Sequence, residues 1–177
     1  MWPEQAALKS TGGQYRETPA PDGCYIYDAE NGVVFRNGKA LPATEAVLDC
    51  GAGFKFLRVP DKSPGFAAWD LGAIKPGRYW LGLQVKSGDE NDSQRQLEDW
   101  RSYQVWVNGA LINCTAIQPP VYVASNLFAA EINSQGPLEL RPGDRIALTA
   151  HTMRDALAGR LILYPQEPPR GPIGRLK

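Results

Sequence analysis

Strict alternation of apolar and polar side chains over residues 78 to 86 constrains the fold of this chain more than any other segment. Successive side chains of an extended strand point to opposite faces, so a period of two predicts a strand with one buried side. The apolar set, which would face a core, is Tyr79, Leu81, Leu83 and Val85. Trp80 then falls on the polar side, beside Arg78 and Gln84. A large aromatic side chain on a polar side calls for an explanation.

Residues 102 to 108 repeat this arrangement. The side that would face the core carries Tyr103, Val105 and Val107. Gln104 and Trp106 fall on the other side, so a second tryptophan points away from the predicted core. Such rings can form a platform for sugars, whose apolar faces stack on aromatic rings while their hydroxyls bond to polar neighbours. The alternative is that a loop, a terminal tail or a neighbouring domain covers both rings.

A third aromatic residue, Tyr122, has the same orientation relative to its apolar neighbours. If all three strands belong to one sheet, the three rings line a groove on its open face. The predicted hydrogen-bonding partners of a bound sugar are Arg78, Gln84 and Gln104. The alternative site is the edge of the domain, where Trp100 closes an acidic loop and Asn126 follows a predicted strand. We prefer the face, because strand periodicity places its aromatic residues.

The rest of the chain alternates short strand-like runs with turns that use many of its 18 Gly and 15 Pro residues. This spacing predicts an all-β fold, a two-sheet antiparallel β-sandwich of the jelly-roll type. We predict a leader over residues 1–23, a β-sandwich domain over 24–165 and a proline-rich tail or linker over 166–177. Besides the two apolar sets above, the predicted core includes Ile146, Leu148, Leu161 and Leu163.

Two kinds of turn separate the predicted strands. Asn37-Gly38 and Asn108-Gly109 predict tight hairpins, because both residue types tolerate positive φ. Lys75-Pro76-Gly77 and Arg141-Pro142-Gly143 are interpreted as Pro-Gly hairpin turns. For the first of these we expect a type II turn, with the glycine at positive φ.

Charge and composition narrow the classes of partner. The chain has 19 basic and 19 acidic residues, so a basic field for nucleic acid is not expected. No apolar run approaches the length that spans a membrane. Neutral polysaccharides or proteins fit this balance better. The three cysteines, Cys24, Cys50 and Cys114, allow either one disulfide with a free thiol or three free thiols.

Catalytic chemistry has two starting points in the sequence, and neither is preferred. The sole histidine, His151, cannot supply a multi-histidine metal site, and no nucleophile-elbow glycine pattern accompanies it. The acidic residues between 89 and 99 could hold a glycosidase carboxylate pair. A solvated acidic loop is the preferred interpretation, so we do not expect an enzyme.

Four segments, in order, resemble the carbohydrate-binding modules of families 6 and 35. Residues 27–31, Tyr-Asp-Ala-Glu-Asn, resemble the opening strand of these modules. Residues 65–79 resemble their central pair of strands around a Pro-Gly-x-Tyr turn. Residues 105–109, Val-Trp-Val-Asn-Gly, resemble a later strand, and residues 138–148 the hairpin near the end. The resemblance spans roughly residues 24 to 164.

This resemblance implies a non-catalytic sugar-binding domain of a larger glycan-processing enzyme, secreted or in the cell envelope, although the first residues show no signal-peptide pattern. Its partners would be a polysaccharide or glycan and further domains of that enzyme. Nucleic acid and membranes are not expected as partners. It also implies a structural Ca²⁺, with Glu30 as an acidic ligand and Asp155, in the loop before the last strand, as a second. The alternatives are an assembly domain that packs on a partner, and a small jelly-roll lyase or hydrolase.

Overall fold

A computed structural model describes residues 23–50, 55–60, 64–87, 103–116, 121–124, 127–150 and 156–168. These residues form two antiparallel sheets that pack face to face, which confirms the predicted all-β sandwich. The predicted leader up to residue 22, the acidic loop, His151, Asp155 and the tail from residue 169 lie outside the described residues. So do Trp100 and Asn126.

The described elements are strands, apart from one 3₁₀ turn and one short helix. In chain order they are β1 (Tyr25–Tyr27), the 3₁₀ turn (Ala29–Asn31), β2 (Val33–Arg36), β3 (Lys39–Ala40), α1 (Ala43–Ala46), β4 (Val47–Asp49), β5 (Lys55–Arg58), β6 (Gly65–Asp70), β7 (Gly77–Ser87), β8 (Tyr103–Val107), β9 (Ala110–Ile112), β10 (Cys114–Ala116), β11 (Val121–Ala124), β12 (Leu127–Ser134), β13 (Leu138–Leu140), β14 (Arg145–Ala150) and β15 (Leu157–Tyr164). None of the described helices is long and apolar enough to cross a membrane.

Within the described residues, the larger sheet has nine strands in the order β10-β12-β7-β15-β5-β4, with β11 on β12, β13 on β7 and β1 on β15. The smaller sheet has six strands in the order β3-β2-β6-β14-β8-β9. Strands β6, β7 and β8 fall alternately in the smaller, larger and smaller sheet, and β12, β14 and β15 in the larger, smaller and larger one. This alternation between the sheets is the jelly-roll pattern. The sheet to which a strand belongs decides on which outward side of the sandwich its polar-side residues lie.

The core lies between the sheets and is built from the alternating apolar sets of the sequence. All predicted core side chains are buried except Val107, which is partly buried and packs against the core. Trp69, on β6, is fully buried there, and its indole nitrogen donates a hydrogen bond to the carbonyl of Asp28 at 3.2 Å. None of the three cysteines, Cys24, Cys50 and Cys114, all of which lie within the described residues, forms a disulfide.

The two kinds of turn behave differently. Asn37-Gly38 and Asn108-Gly109 have positive φ at both residues and close the hairpins β2–β3 and β8–β9, as predicted. The two Pro-Gly segments instead carry the chain between the sheets, from β6 to β7 and from β13 to β14, so their interpretation as hairpins is wrong. Gly77 is not among the described glycines with positive φ, so the expected type II turn is also wrong. Proline cannot adopt positive φ, and it therefore cannot enter the turn that matches the twist of a tight hairpin.

Candidate functional site

The two tryptophans that the sequence places away from the core lie on opposite sides of the sandwich. Trp80 belongs to β7 of the nine-stranded sheet, and Trp106 belongs to β8 of the six-stranded sheet. The condition for a single groove, that their strands share one sheet, is therefore not met. Periodicity assigns a residue to one side of its strand, but it does not say to which sheet the strand belongs.

The other predicted binding residues divide between the two sheets. Arg78 and Gln84 lie with Trp80 on β7, and β11, which contains Tyr122, pairs with β12 in the same nine-stranded sheet. Gln104 lies with Trp106 on β8 of the six-stranded sheet. Arg78 forms an ion pair with Glu139 of β13, with 3.4 Å between Nε and Oε1.

Four side chains are buried at the centre of the outward side of the nine-stranded sheet, and we call them the Glu131 cluster: Gln84, Glu131, Asn133 and Tyr164. Glu131 is 0% exposed, and its Oε1 accepts a hydrogen bond of 2.7 Å from the Tyr164 hydroxyl. Burial and the neighbouring Glu131 carboxylate raise the pKa of Tyr164, so its hydroxyl remains a donor. The bond passes over Gly82, where an added Cβ would lie 2.2 Å from Glu131 Oε1 and 2.7 Å from the Tyr164 ring.

Gln84, a predicted sugar contact, is only 5% exposed and belongs to this closed cluster. Two described buried side-chain atoms, Gln84 Nε2 and Asn133 Oδ1, have no hydrogen-bonding partner, yet neither is presented to solvent. A ligand on this side could reach Trp80, which is partly exposed, but not the Gln84 amide. The centre of this side is therefore structural packing and not an open platform.

The outward side of the six-stranded sheet, which we call the Trp106 face, carries a row of apolar residues. Consecutive Cα partners across five strands form this row, and they are Val33, Ala68, Ala147, Trp106 and Leu111. Val33 and Leu111, at its two ends, are exposed, and Leu111 retains 52% of its surface. Trp106 and Ala147 are partly exposed and Ala68 is buried, so the row presents apolar surface on both sides of Ala68. Exposed apolar patches often mark binding sites.

A hydrogen bond holds the Trp106 ring against the sheet. The indole Nε1 donates to Thr149 Oγ1 on β14 at 2.9 Å. Thr149 lies two residues beyond Ala147, the Cα partner of Trp106, so the ring must lean across β14 to reach it. Gln104, the Cα partner of Thr149, shares this side of the sheet. The result is a partly exposed aromatic ring in a fixed position with polar groups at its edge.

An ion pair between Asp70 of β6 and Arg145 of β14 lies on the same outward side of the sheet. Arg145 Nε and Nη2 donate to the two carboxylate oxygens of Asp70 at 2.6 and 3.0 Å. The Arg145 Cζ atom is also 5.3 Å from the centroid of the Phe35 ring on β2. The hydrogen bond to Arg145 holds the pKa of Asp70 below its ordinary value, and the carboxylate raises that of Arg145. Both groups are therefore ionised, and their charges cancel locally.

Backbone contacts position Arg145 as well. Its N–H donates to Asn108 Oδ1 at 2.8 Å, and Asn108 Nδ2 donates to Asp144 Oδ1 at 2.9 Å. Arg145 is two residues from Ala147, so it is a diagonal neighbour of Trp106, and such neighbours lie about 7–8 Å apart in an antiparallel pair. From there the Arg145 side chain extends towards Asp70 and Phe35, on the side of β14 that is away from Trp106.

The described residues do not supply the calcium site that the family resemblance implies. The Glu30 carboxylate pairs with the Lys55 ammonium at 2.7 Å. No three His, Cys, Asp or Glu side chains within the described ranges converge on a point that could hold a metal. Calcium needs six to eight oxygen ligands, and an ion-paired carboxylate alone does not fit that requirement. Calcium binding stays a prediction, since Asp155 lies outside the described residues.

Solved structures that are similar to this chain include the following two. One is the crystal structure of the Podospora anserina GH26-CBM35 β-(1,4)-mannanase, with a TM-score of 0.48 and 14% identity over 84% of this chain. The other is that of the Agl-KA catalytic domain, with a TM-score of 0.47 and 16% identity over 85% of this chain. The chain spans 29% of the length of each, and a likeness at this level carries no argument about function. No protein-family model matches the sequence, and no curated protein matches it significantly.

Proposed function

We propose that this chain is a non-catalytic carbohydrate-binding domain that holds a glycan on the Trp106 face. The observation that supports this most directly is the Trp106 ring itself. It is partly exposed, held by Thr149, and lies in an apolar row on the side of the sheet that also carries the Asp70–Arg145 pair. This combination of a stacking surface with fixed polar groups at its edge suits a sugar ring, which has apolar C–H faces and a rim of hydroxyls.

The dimensions of the face favour a chain of sugars over a single one. The apolar row crosses five strands, and with about 4.8 Å between neighbouring strands it extends roughly 19 Å. An extended polysaccharide could follow such a row and contact Leu111, Trp106 and Val33 in turn. Aromatic side chains that are already fixed lose little conformational entropy on binding, which favours affinity.

The resemblance to families 6 and 35 extends this proposal beyond the domain. Modules of this kind accompany the catalytic domain of a polysaccharide-degrading enzyme, so the partners would be a glycan and further domains of a larger enzyme. The location would be secreted or in the cell envelope. This part of the proposal rests on the sequence motifs alone.

A glycan array followed by binding isotherms tests the proposal. We expect Trp106→Ala to weaken binding at least about tenfold, equivalent to roughly 1.4 kcal/mol, with little change in melting temperature. Trp106→Phe keeps an aromatic ring but loses the bond to Thr149, so we expect an intermediate affinity. Trp80→Ala is the matched control, because the same ring is removed from the opposite side of the sandwich. It should leave the affinity within about twofold.

Other outcomes separate the alternative functions. If no glycan binds, and light scattering shows an oligomer that Leu111→Arg dissociates, the Trp106 face is an assembly surface. If product accumulates during incubation with a polysaccharide, the domain is an enzyme. If Trp80→Ala weakens binding as much as Trp106→Ala does, the site is not confined to this face.

A further inference from the structure

We propose that Asp70 makes the Trp106 face selective for uncharged sugars by neutralising Arg145, which rests on the proposed function of that face. Arg145 lies on the Trp106 face, two residues from Ala147 on β14, and by itself it would attract acidic sugars. Two hydrogen bonds hold the Asp70 carboxylate against the Arg145 guanidinium. The selectivity for neutral glycans would therefore be set locally, by one carboxylate, and not by the zero net charge of the chain.

The pair is open to a ligand on both of its members. The side chain of Arg145 is 42% exposed and that of Asp70 is 58% exposed. A guanidinium has five N–H donors, of which two go to Asp70, and each carboxylate oxygen has a further lone pair. Neighbouring hydroxyls on one sugar ring could accept from Arg145 and donate to Asp70. The pair can thus form hydrogen bonds to hydroxyl groups, but it has no net charge that would attract an acidic sugar.

A carboxylate on the ligand would meet a different environment. It would lose part of its hydration beside Asp70, and the attraction of Arg145 would be offset by the repulsion of the Asp70 carboxylate. The Phe35 ring and the Asp70 carboxylate hold the Arg145 guanidinium in place, so it cannot turn towards the incoming acid without losing these contacts. We therefore expect acidic sugars to bind this face less tightly than neutral ones.

The experiment compares soluble neutral derivatives of cellulose, mannan and xylan with the carboxymethylated form of each, by isothermal titration at low salt. The measured quantity is the ratio of the two dissociation constants for each polymer. We expect the wild type to bind the carboxymethylated form more weakly than the neutral one, because the uncharged pair does not offset the lost hydration of the ligand carboxylate. Removing the Asp70 charge should change the ratio about fivefold in favour of the carboxymethylated form, the effect of one uncompensated unit charge at about 4 Å in water. Asp70→Asn should therefore remove most of the difference between the two forms, and Arg145→Gln should widen it. High salt should reduce both effects.

Glu139→Gln is the matched control for net charge. It also removes one carboxylate from an exposed pair with an arginine, Arg78, but in β13 on the nine-stranded sheet. It should leave the ratio at its wild-type value. Because exposed ion pairs contribute little to stability, both variants should melt within a few degrees of the wild type.

The ratio distinguishes the outcomes. The inference is overturned if the wild type binds both forms equally at low salt, or if the folded Asp70→Asn variant keeps the wild-type ratio. It is also overturned if Glu139→Gln shifts the ratio as much as Asp70→Asn does, since net charge would then be the cause. If no polymer of either kind binds the wild type, it is the proposed function itself that fails.

Discussion

The two outward sides of the sandwich differ in a way that the alternation of residues in the sequence does not predict. On β7, the alternation puts the polar residue Gln84 outside, yet that side chain is buried together with Glu131 and Asn133. On the Trp106 face, the outward positions carry an apolar row whose ends remain exposed. One side is polar but buried at its centre, and the other is apolar but exposed or partly exposed along its row, apart from Ala68. Alternation therefore identifies the side of the strand on which a residue lies, and it does not identify which other residues pack against that side.

Close approach between strands explains the side that is buried at its centre. Tyr164 on β15 reaches Glu131 on β12 across β7 only because Gly82, which lies between them, has no side chain. The register of β15 against β7 also shifts between Ala158 and Leu161, opposite Gln84. At Gly159, inside this bulge, an added Cβ would lie 2.4 Å from Gln84 Oε1. Two glycines thus leave room for polar side chains of neighbouring strands to pack over β7 and β15.

The largest expected effect concerns the bond that closes the nine-stranded side. Tyr164→Phe removes the hydroxyl that donates to the fully buried Glu131 carboxylate. A hydrogen bond to a charged group contributes about 1.5–3 kcal/mol, and we expect a loss of that size in the free energy of unfolding. Urea denaturation measures it, and glycan binding on the Trp106 face should not change.

Tyr25→Phe is the matched control for that substitution. Its hydroxyl accepts a hydrogen bond from the Lys75 N–H at 3.0 Å in an exposed position, so its loss should cost less than about 1 kcal/mol. Equal losses in the free energy of unfolding of the two variants would mean that the Glu131–Tyr164 bond contributes no more stability than an exposed hydrogen bond. The contrast between a buried and an exposed side would then lose its energetic basis.

A somewhat smaller effect is expected at Gly82. Gly82→Ala places a methyl group where the Glu131 carboxylate and the Tyr164 ring now lie, and overpacking of this kind typically costs about 1–3 kcal/mol. Gly136→Ala is the control, since an added Cβ there meets nothing within 4 Å. We expect that control to be neutral or slightly stabilising. A neutral Gly82→Ala would show that the cluster can open without loss, and the two sides would then be equally accessible.

Much of the fold was predictable because its signals are local. The alternating sets around Leu83 and Val105 and the turns Asn37-Gly38 and Asn108-Gly109 each depend on a few consecutive residues. The division of Trp80 and Trp106 between two sheets was not predictable, because the same alternation fits a strand in either sheet. The reason is physical, since a strand's own residues determine its faces and its neighbours determine its sheet.

The candidate site shows the same limit. Trp106 and Gln104 were identified from periodicity, and the structure keeps them on one face. Asp70 and Arg145 were missed, because they are 75 residues apart and become neighbours only through the pairing of β6 with β14. The Glu131–Tyr164 bond was missed for the same reason. The weak signals that do exist are outward-facing charges on predicted strands, of which Asp70 is one.

The smallest expected effect concerns the hydrogen bond between Trp106 and Thr149 on the Trp106 face. Thr149→Val conserves the shape of the side chain and removes the Oγ1 that accepts from the Trp106 indole. The ring would then sample other rotamers in the free domain, and binding would have to immobilise it. Ordering one such side chain costs about 0.5 kcal/mol or more, so we expect the affinity for a glycan to fall about twofold. Thr149 is partly exposed, so the melting temperature should change by only a few degrees.

Trp106→Phe separates this positioning role from a direct contact of Thr149 with the glycan. The phenyl ring has no N–H to donate, so adding Thr149→Val to Trp106→Phe should have no further effect on affinity if Thr149 acts only through the indole. A double-mutant cycle measures this coupling, and the single-variant effects should not add. If they add fully, the Thr149 hydroxyl contacts the glycan itself and the polar edge of the Trp106 face extends to β14. If Thr149→Val leaves affinity unchanged, the ring is held by packing alone, and the preorganisation that distinguishes this side from the Trp80 side is not due to the hydrogen bond.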